Sequence, residues 1–196
     1  MLNLAVLKRV SVAKGIRFFK EFLRERKTVG AISPSSVFLA KKMVAPIDFK
    51  FAMNIVEFGP GTGIFTKELL KNMRPDAKLF VFETQSGFCE MIKNEIKDDR
   101  MILINDSAEK IGEYLQKYGV EKADYTVSSL PFTVLPSQVK NSILTQAAKY
   151  LSPKGMFIQF QYTLNAHKLL KSKFRNVKLD FTPMNIPPAF IYKCSI

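Results

Sequence analysis

The chain has 196 residues, enough for one domain with a proper core, and 47% of them are apolar, seventeen being Phe. Thirty Lys and Arg against 17 Asp and Glu give a net charge of +13, which asks for an anionic partner surface, either nucleic acid or the face of an anionic bilayer. Two distant cysteines and a single histidine exclude a disulfide framework and a metal centre; no apolar run is long enough to span a membrane, and Leu2 to Leu7 is too short for a signal peptide, so the chain is expected to be a cytoplasmic monomer.

The first predicted element is an amphipathic helix. Ile16, Phe19 and Leu23, with Phe18 and Phe22, share one face, and Arg17, Lys20, Glu21, Arg24 and Glu25 occupy the other. Residues 1–27 carry a net charge of +6, so the charge is concentrated. Such a helix suits an anionic bilayer interface, though its Phe stripe would equally pack on a sheet. Ser33-Pro34-Ser35-Ser36 reads as the cap of a second helix, about 35–45, which Pro46 ends. Residues 1–46 are therefore expected to form an N-terminal helical region for membrane docking and covering the cofactor, ahead of a domain at 47–196.

From residue 53 onward, apolar strands alternate with helices, the pattern of a doubly wound α/β sheet. Strands are predicted at 53–58, 78–83, 101–105, 124–129, 155–162, 176–182 and 188–194. Helices are predicted at about 63–73, 86–97, 108–118 and 137–151, with a short one near 165–173. Only Pro183 to Pro187 separates the last two strands, which suits an antiparallel hairpin and not a crossover helix. The expectation is a Rossmann-like seven-stranded sheet with a C-terminal antiparallel hairpin.

Glu57-Phe58-Gly59-Pro60-Gly61-Thr62-Gly63 follows a strand and opens a helix. Glycines there let the backbone turn tightly and approach a ligand that any Cβ would push away. This E-x-G-x-G-x-G form, with no Lys-Ser/Thr after it, resembles the loop of class I S-adenosylmethionine-dependent methyltransferases. The resemblance implies that Glu57, Gly59, Pro60, Gly61, Thr62 and Gly63 wrap the methionine part of the cofactor, whose product is S-adenosylhomocysteine. Glu83, with Thr84, ends the second strand, where an acid accepts from ribose hydroxyls in nicotinamide enzymes as well. Asp106-Ser107-Ala108 separates the two, since in methyltransferases an acid here accepts from the adenine amine; Asp106 would also serve as a helix N-cap.

Ser129-Leu130-Pro131-Phe132 ends the fourth strand and resembles the N-[IL]-P-[FY] loop of methyltransferases that act on amino groups. Its carbonyls would accept from a substrate amine and its aromatic ring would wall the methyl path, with Ser129 also touching the cofactor. Tyr162, ending the fifth strand, is the candidate for substrate contact, against a reading as a half-buried strand tyrosine. His167, five residues further, reads as a surface helix residue and not a base.

Two families share this layout. The rRNA adenine dimethyltransferases have Asn where Ser129 stands and carry a helical RNA-binding domain after the sheet, for which this chain is expected to have no counterpart. The bacterial phospholipid N-methyltransferases are similar over nearly the whole chain, through Thr28-Val29-Gly30-Ala31-Ile32-Ser33-Pro34-Ser35-Ser36, the glycine loop, Ser129-Leu130-Pro131 and Asn185-Ile186-Pro187-Pro188-Ala189. That resemblance implies methylation of a lipid head-group amine, of the phosphatidylethanolamine or ornithine-lipid type, by a peripheral enzyme at the inner face of the cell membrane. Met184 stands where the phospholipid enzymes commonly have an aromatic or basic residue, so the head group stays open. RNA methylation is the alternative.

Overall fold

The computed structural model describes residues 36–196. The basic segment at 1–27 and the piece that runs up to Ser35 lie outside them, and with them the expected amphipathic helix.

Helix α1, Val37–Val44, starts at Ser36, whose hydroxyl accepts from the Leu39 N–H at 3.1 Å. A side-chain oxygen there satisfies one of the donors that a helix start leaves open. Then follow β1 (Asn54–Phe58), α2 (Ile64–Asn72), β2 (Lys78–Phe82), α3 (Ser86–Glu95), β3 (Met101–Ile104), α4 (Ile111–Lys117) and β4 (Ala123–Ser128). The chain continues with α5 (Ser137–Tyr150), β5 (Leu151–Gln161), α6 (His167–Lys171), β6 (Asn176–Thr182) and β7 (Ala189–Ser195). The strands form one seven-stranded sheet in the order β3-β2-β1-β4-β5-β7-β6. β3 to β5 pair in parallel, and β7 inserts antiparallel between β5 and β6. This is the expected Rossmann-like arrangement with its terminal hairpin.

Two apolar layers sandwich the sheet. α1, α2 and α3 cover one face through Leu39, Met43, Phe65, Leu69 and Ile92. α4, α5 and α6 cover the other through Ile111, Leu115, Leu144 and Leu170. With both faces covered, the inner strands are nearly continuously apolar; Ile55, Val56 and Phe58 of β1 are all fully buried.

Two local predictions shift. The helix expected at 108–118 opens as a 3-10 turn, Ala108–Lys110, before α4 begins. β5 begins at Leu151, directly after α5, and not at residue 155. Pro153 and Gly155 suggest a turn, but between Ala123 and Tyr125 the β4–β5 register slips from Leu151 to Met156. The surplus residues form an irregularity inside the strand. A Cβ on Gly155 would lie 2.5 Å from the Asp124 carbonyl oxygen, so only glycine lets the two backbones meet there.

Candidate active site

The parallel strands end level with one another. Phe58 pairs with both Phe82 and Ser128, Phe82 with Ile104, and Ser128 with Gln159. Backbone hydrogen bonds carry the ladder one residue further: Gly59 N–H to Phe82 O, Glu83 N–H to Ile104 O, and Ser129 N–H to Phe58 O, at 2.9–3.0 Å. Gly59, Glu83 and Ser129 thus stand in one row at the carboxyl edge, where open α/β sheets bind ligands.

In the glycine loop, Gly59, Gly61 and Gly63 have φ of 68°, 56° and 76°, the left-handed region where a Cβ is strained. A Cβ on Gly59 would also lie 2.8 Å from Leu130 Cδ2, so the glycine loop and the β4 loop touch. Beneath them Glu57 is 1% exposed, and neither of its carboxylate oxygens meets a hydrogen-bond partner at bonding distance among the described residues. Burial pushes its carboxyl up to about 8; Thr66 beside it pulls the other way, and the charge of Glu83 adds a smaller rise. Glu83 is also buried and raised by burial, while backbone N–H groups of Gln85, Gly61 and Thr84 draw it back. Pro60 is buried, and Thr62 and Thr84 are exposed.

Asp106 is half-buried and engaged on both oxygens. Oδ1 accepts from the Ser107 N–H at 2.8 Å, and Oδ2 accepts from Lys110 Nζ at 2.9 Å and the Tyr114 hydroxyl at 3.0 Å. These partners hold its carboxyl below the usual range, Lys110 most of all. The cap of the following turn is Ser107, which accepts from the Glu109 N–H, and not Asp106. Ala108 is buried in the core.

On the acceptor side, the Ser129 hydroxyl donates to the Gly59 carbonyl, tying the two loops together. The Leu130 carbonyl accepts from Gln159 Nε2 at 3.0 Å and from Gln161 Nε2 at 2.8 Å. Pro131 is half-buried. Phe132 is 3% exposed and sits in the core with Phe58 and Ile143, so its ring faces inward and does not wall an open path. Tyr162 follows β5 half-buried, its ring edge-on to Phe160 at 5.5 Å. His167 is not the surface residue expected: it is half-buried, its ring 6.1 Å from that of Tyr192, and Nδ1 has no partner among the described residues.

Gln159 and Gln161 were not among the predicted site residues. The signal was there: in Gly155-Met156-Phe157-Ile158-Gln159-Phe160-Gln161-Tyr162 two amides fall at alternate positions of an otherwise apolar strand, and a buried polar side chain needs a partner.

An orphaned buried carboxylate under a loop of positive-φ glycines, with a second buried carboxylate at the next strand end, suits a ligand carrying an ammonium group and sugar hydroxyls. The sequence model of the methyltransferase small domain family matches residues 29–182. An ornithine lipid N-methyltransferase of Singulisphaera acidiphila is 27% identical over 179 residues, which cover 90% of this chain and 93% of that one. Among solved structures, a precorrin-6y C5,15-methyltransferase of Geobacter metallireducens has a TM-score of 0.63 at 12% identity, covering 80% of this chain and 86% of that one. Human methyltransferase-like protein 13 in complex with SAH also has a TM-score of 0.63, at 16% identity, covering 80% of this chain and 81% of that one.

Proposed function

Since the chain belongs to the methyltransferase small domain family, we propose that this S-adenosylmethionine-dependent methyltransferase methylates the head-group amine of a membrane lipid. The observation that carries the reading is the near full-length similarity to an ornithine lipid N-methyltransferase. The β4 loop, with its likeness to amine-methylating enzymes, supports it.

S-adenosylmethionine, when bound, supplies an electrophilic methyl on a sulfonium, so the protein's work is to align the amine and keep it neutral. Gly59, Gly61 and Gly63 would hold the methionine part, with Glu57 facing its ammonium group; Glu83 would accept from the ribose, and Asp106 from the adenine amine. An alkyl ammonium titrates near about 10.4, and a site shielded by Leu130 and Pro131 favours its neutral form. Tyr162, which directly follows β5, would contact the head group.

Docking at the bilayer belongs to the same proposal. Val37, Phe38, Met184 and Ile186 are 54%, 55%, 58% and 70% exposed. Ser36 brings them together, its N–H donating to Asn185 Oδ1 and its hydroxyl to the Met184 carbonyl, both at 2.9 Å. The β6–β7 loop lies at the carboxyl edge, because β7 starts opposite the end of β5, Phe190 against Gln161. An apolar rim on the edge that carries the site, in a basic protein, suits a lipid substrate presented from an anionic surface.

Methyl-labelled S-adenosylmethionine tests the reading, offered with phosphatidylethanolamine vesicles, ornithine-lipid vesicles and ribosomal RNA. Label is expected in lipid. Label confined to RNA would overturn the proposal in favour of RNA methylation.

A further inference from the structure

We infer that two glutamines of β5, Gln159 and Gln161, hold the acceptor amine in place of the amide that the Ser129-Leu130-Pro131-Phe132 loop lacks. The inference rests on the amine-methylation reading above. In the loops that this one resembles, the first position is Asn, and an amide and a carbonyl are there to receive the amine. Here both of the loop's own groups are engaged elsewhere. The Ser129 hydroxyl donates to the Gly59 carbonyl. The Leu130 carbonyl, with two lone pairs, already has two donors, Gln159 Nε2 and Gln161 Nε2.

The amide has moved to the neighbouring strand. Gln159 and Gln161 alternate with Phe160 and share the face of Phe157, where alternation would place apolar residues. They are 0% and 5% exposed. Donation to Leu130 turns the NH2 end of each side chain toward the loop, that of Gln159 also donating to the Phe160 carbonyl at 2.7 Å, and leaves each Oε1 as an acceptor. Gln159 Oε1 is enclosed with no partner among the described residues, and Gln161 uses its Nε2 end on the Leu130 carbonyl. A buried acceptor left unsatisfied, as Gln159 Oε1 is, is rare in native proteins and calls for an explanation.

Two amide oxygens match a neutral primary amine, which has two N–H hydrogens to place and one lone pair to keep for the methyl carbon. The lone pair forms the new N–C bond as the methyl leaves sulfur, which retains the bonding electrons, and the resulting methylammonium releases its proton to water. Each round of methylation removes one N–H, so the glutamines lose their hold as methyls accumulate. A neutral dimethylated amine has no N–H left to offer.

That progression is the test. The full chain and its Gln161→Met variant are compared on phosphatidylethanolamine and ornithine lipid, and on their N-monomethyl and N,N-dimethyl forms, with cofactor affinity measured by calorimetry. Loss of one such hydrogen bond in the transition state lowers kcat/KM by about 30-fold on the primary amine. The loss shrinks to less than about threefold on the dimethyl form, and cofactor affinity stays unchanged. Should Gln161→Met fail to fold, Gln161→Asn carries the same expectation, since it keeps an amide but withdraws it by one carbon. Equal losses on all three amines, a parallel loss of cofactor affinity, or unchanged rates would overturn the inference. Wild-type protein that labels neither lipid removes the amine reading and this inference together; wild-type labelling with a flat variant profile removes the inference alone.

Discussion

Glu57 shows how burial sets the protonation of one residue. Its carboxyl is buried with no hydrogen-bond partner among the described residues, and burial pushes it up to about 8. The folded chain therefore holds a proton that the unfolded chain releases near about 4.5. Between those two values unfolding releases a proton, so stability falls as pH rises from about 4.5 to about 8 and then levels off. Glu57→Gln removes that dependence, and the difference between the two proteins isolates it from every other titrating group. The variant is expected to melt higher than wild type at pH 8–9, with the gap closing toward pH 5, while calorimetry shows weaker cofactor binding. A wild-type melting curve parallel to that of the variant across this range would contradict the assignment. The carboxylates at the strand ends were legible as residues, because the acid follows the strand in sequence. Their partners were not: Lys110 and Tyr114 reach Asp106 only once the turn and α4 have formed.

At the scale of elements, α1 is clasped to the terminal hairpin. Asn185, 3% exposed, accepts from the Ser36 N–H at 2.9 Å and donates to the Pro187 carbonyl at 2.7 Å. Further along, Lys42 pairs with Asp180 at 2.9 Å and Lys193 with the same carboxylate at 3.0 Å. These charges are about one-third exposed, so each pair is worth at most about 1 kcal/mol. The buried amide matters more. Asn185→Ala leaves two backbone groups unpaired, a loss of about 2 kcal/mol, which lowers Tm by about 4–8 °C in a domain of this size. Limited proteolysis should then cut first within residues 36–46. An unchanged melting temperature would show that the clasp is not structural. Periodicity and capping residues made α1 and both hairpin strands legible. That two motifs lying 149 residues apart meet through one side chain was not, because nothing in either segment names the other.

For the whole molecule, the carboxyl edge carries both the site and the apolar rim at Val37, Phe38, Met184 and Ile186, and the chain as a whole is strongly basic. Vesicle binding is expected to rise with anionic lipid content and to weaken as salt screens the attraction, with a Debye length of about 8 Å at physiological ionic strength. Replacing Met184 and Ile186 by Ser should lower sedimentation with vesicles at every salt concentration, since it removes apolar insertion and no charge. Binding that ignores both lipid charge and these two side chains would contradict the docking proposal. The succession of strands and helices along the chain and the place of the glycine loop were determined by the sequence alone, because strand and helix periods and glycine's freedom at positive φ are local properties. The β4 loop was singled out by its resemblance to the loop of amine-methylating enzymes. Only the tertiary structure decided what those groups do with their hydrogen bonds: Ser129 closes on Gly59, Phe132 turns into the core, and Gln159 and Gln161 occupy the Leu130 carbonyl. Such pairings join residues from separate strands, and they exist only where the sheet's register brings the strand ends level.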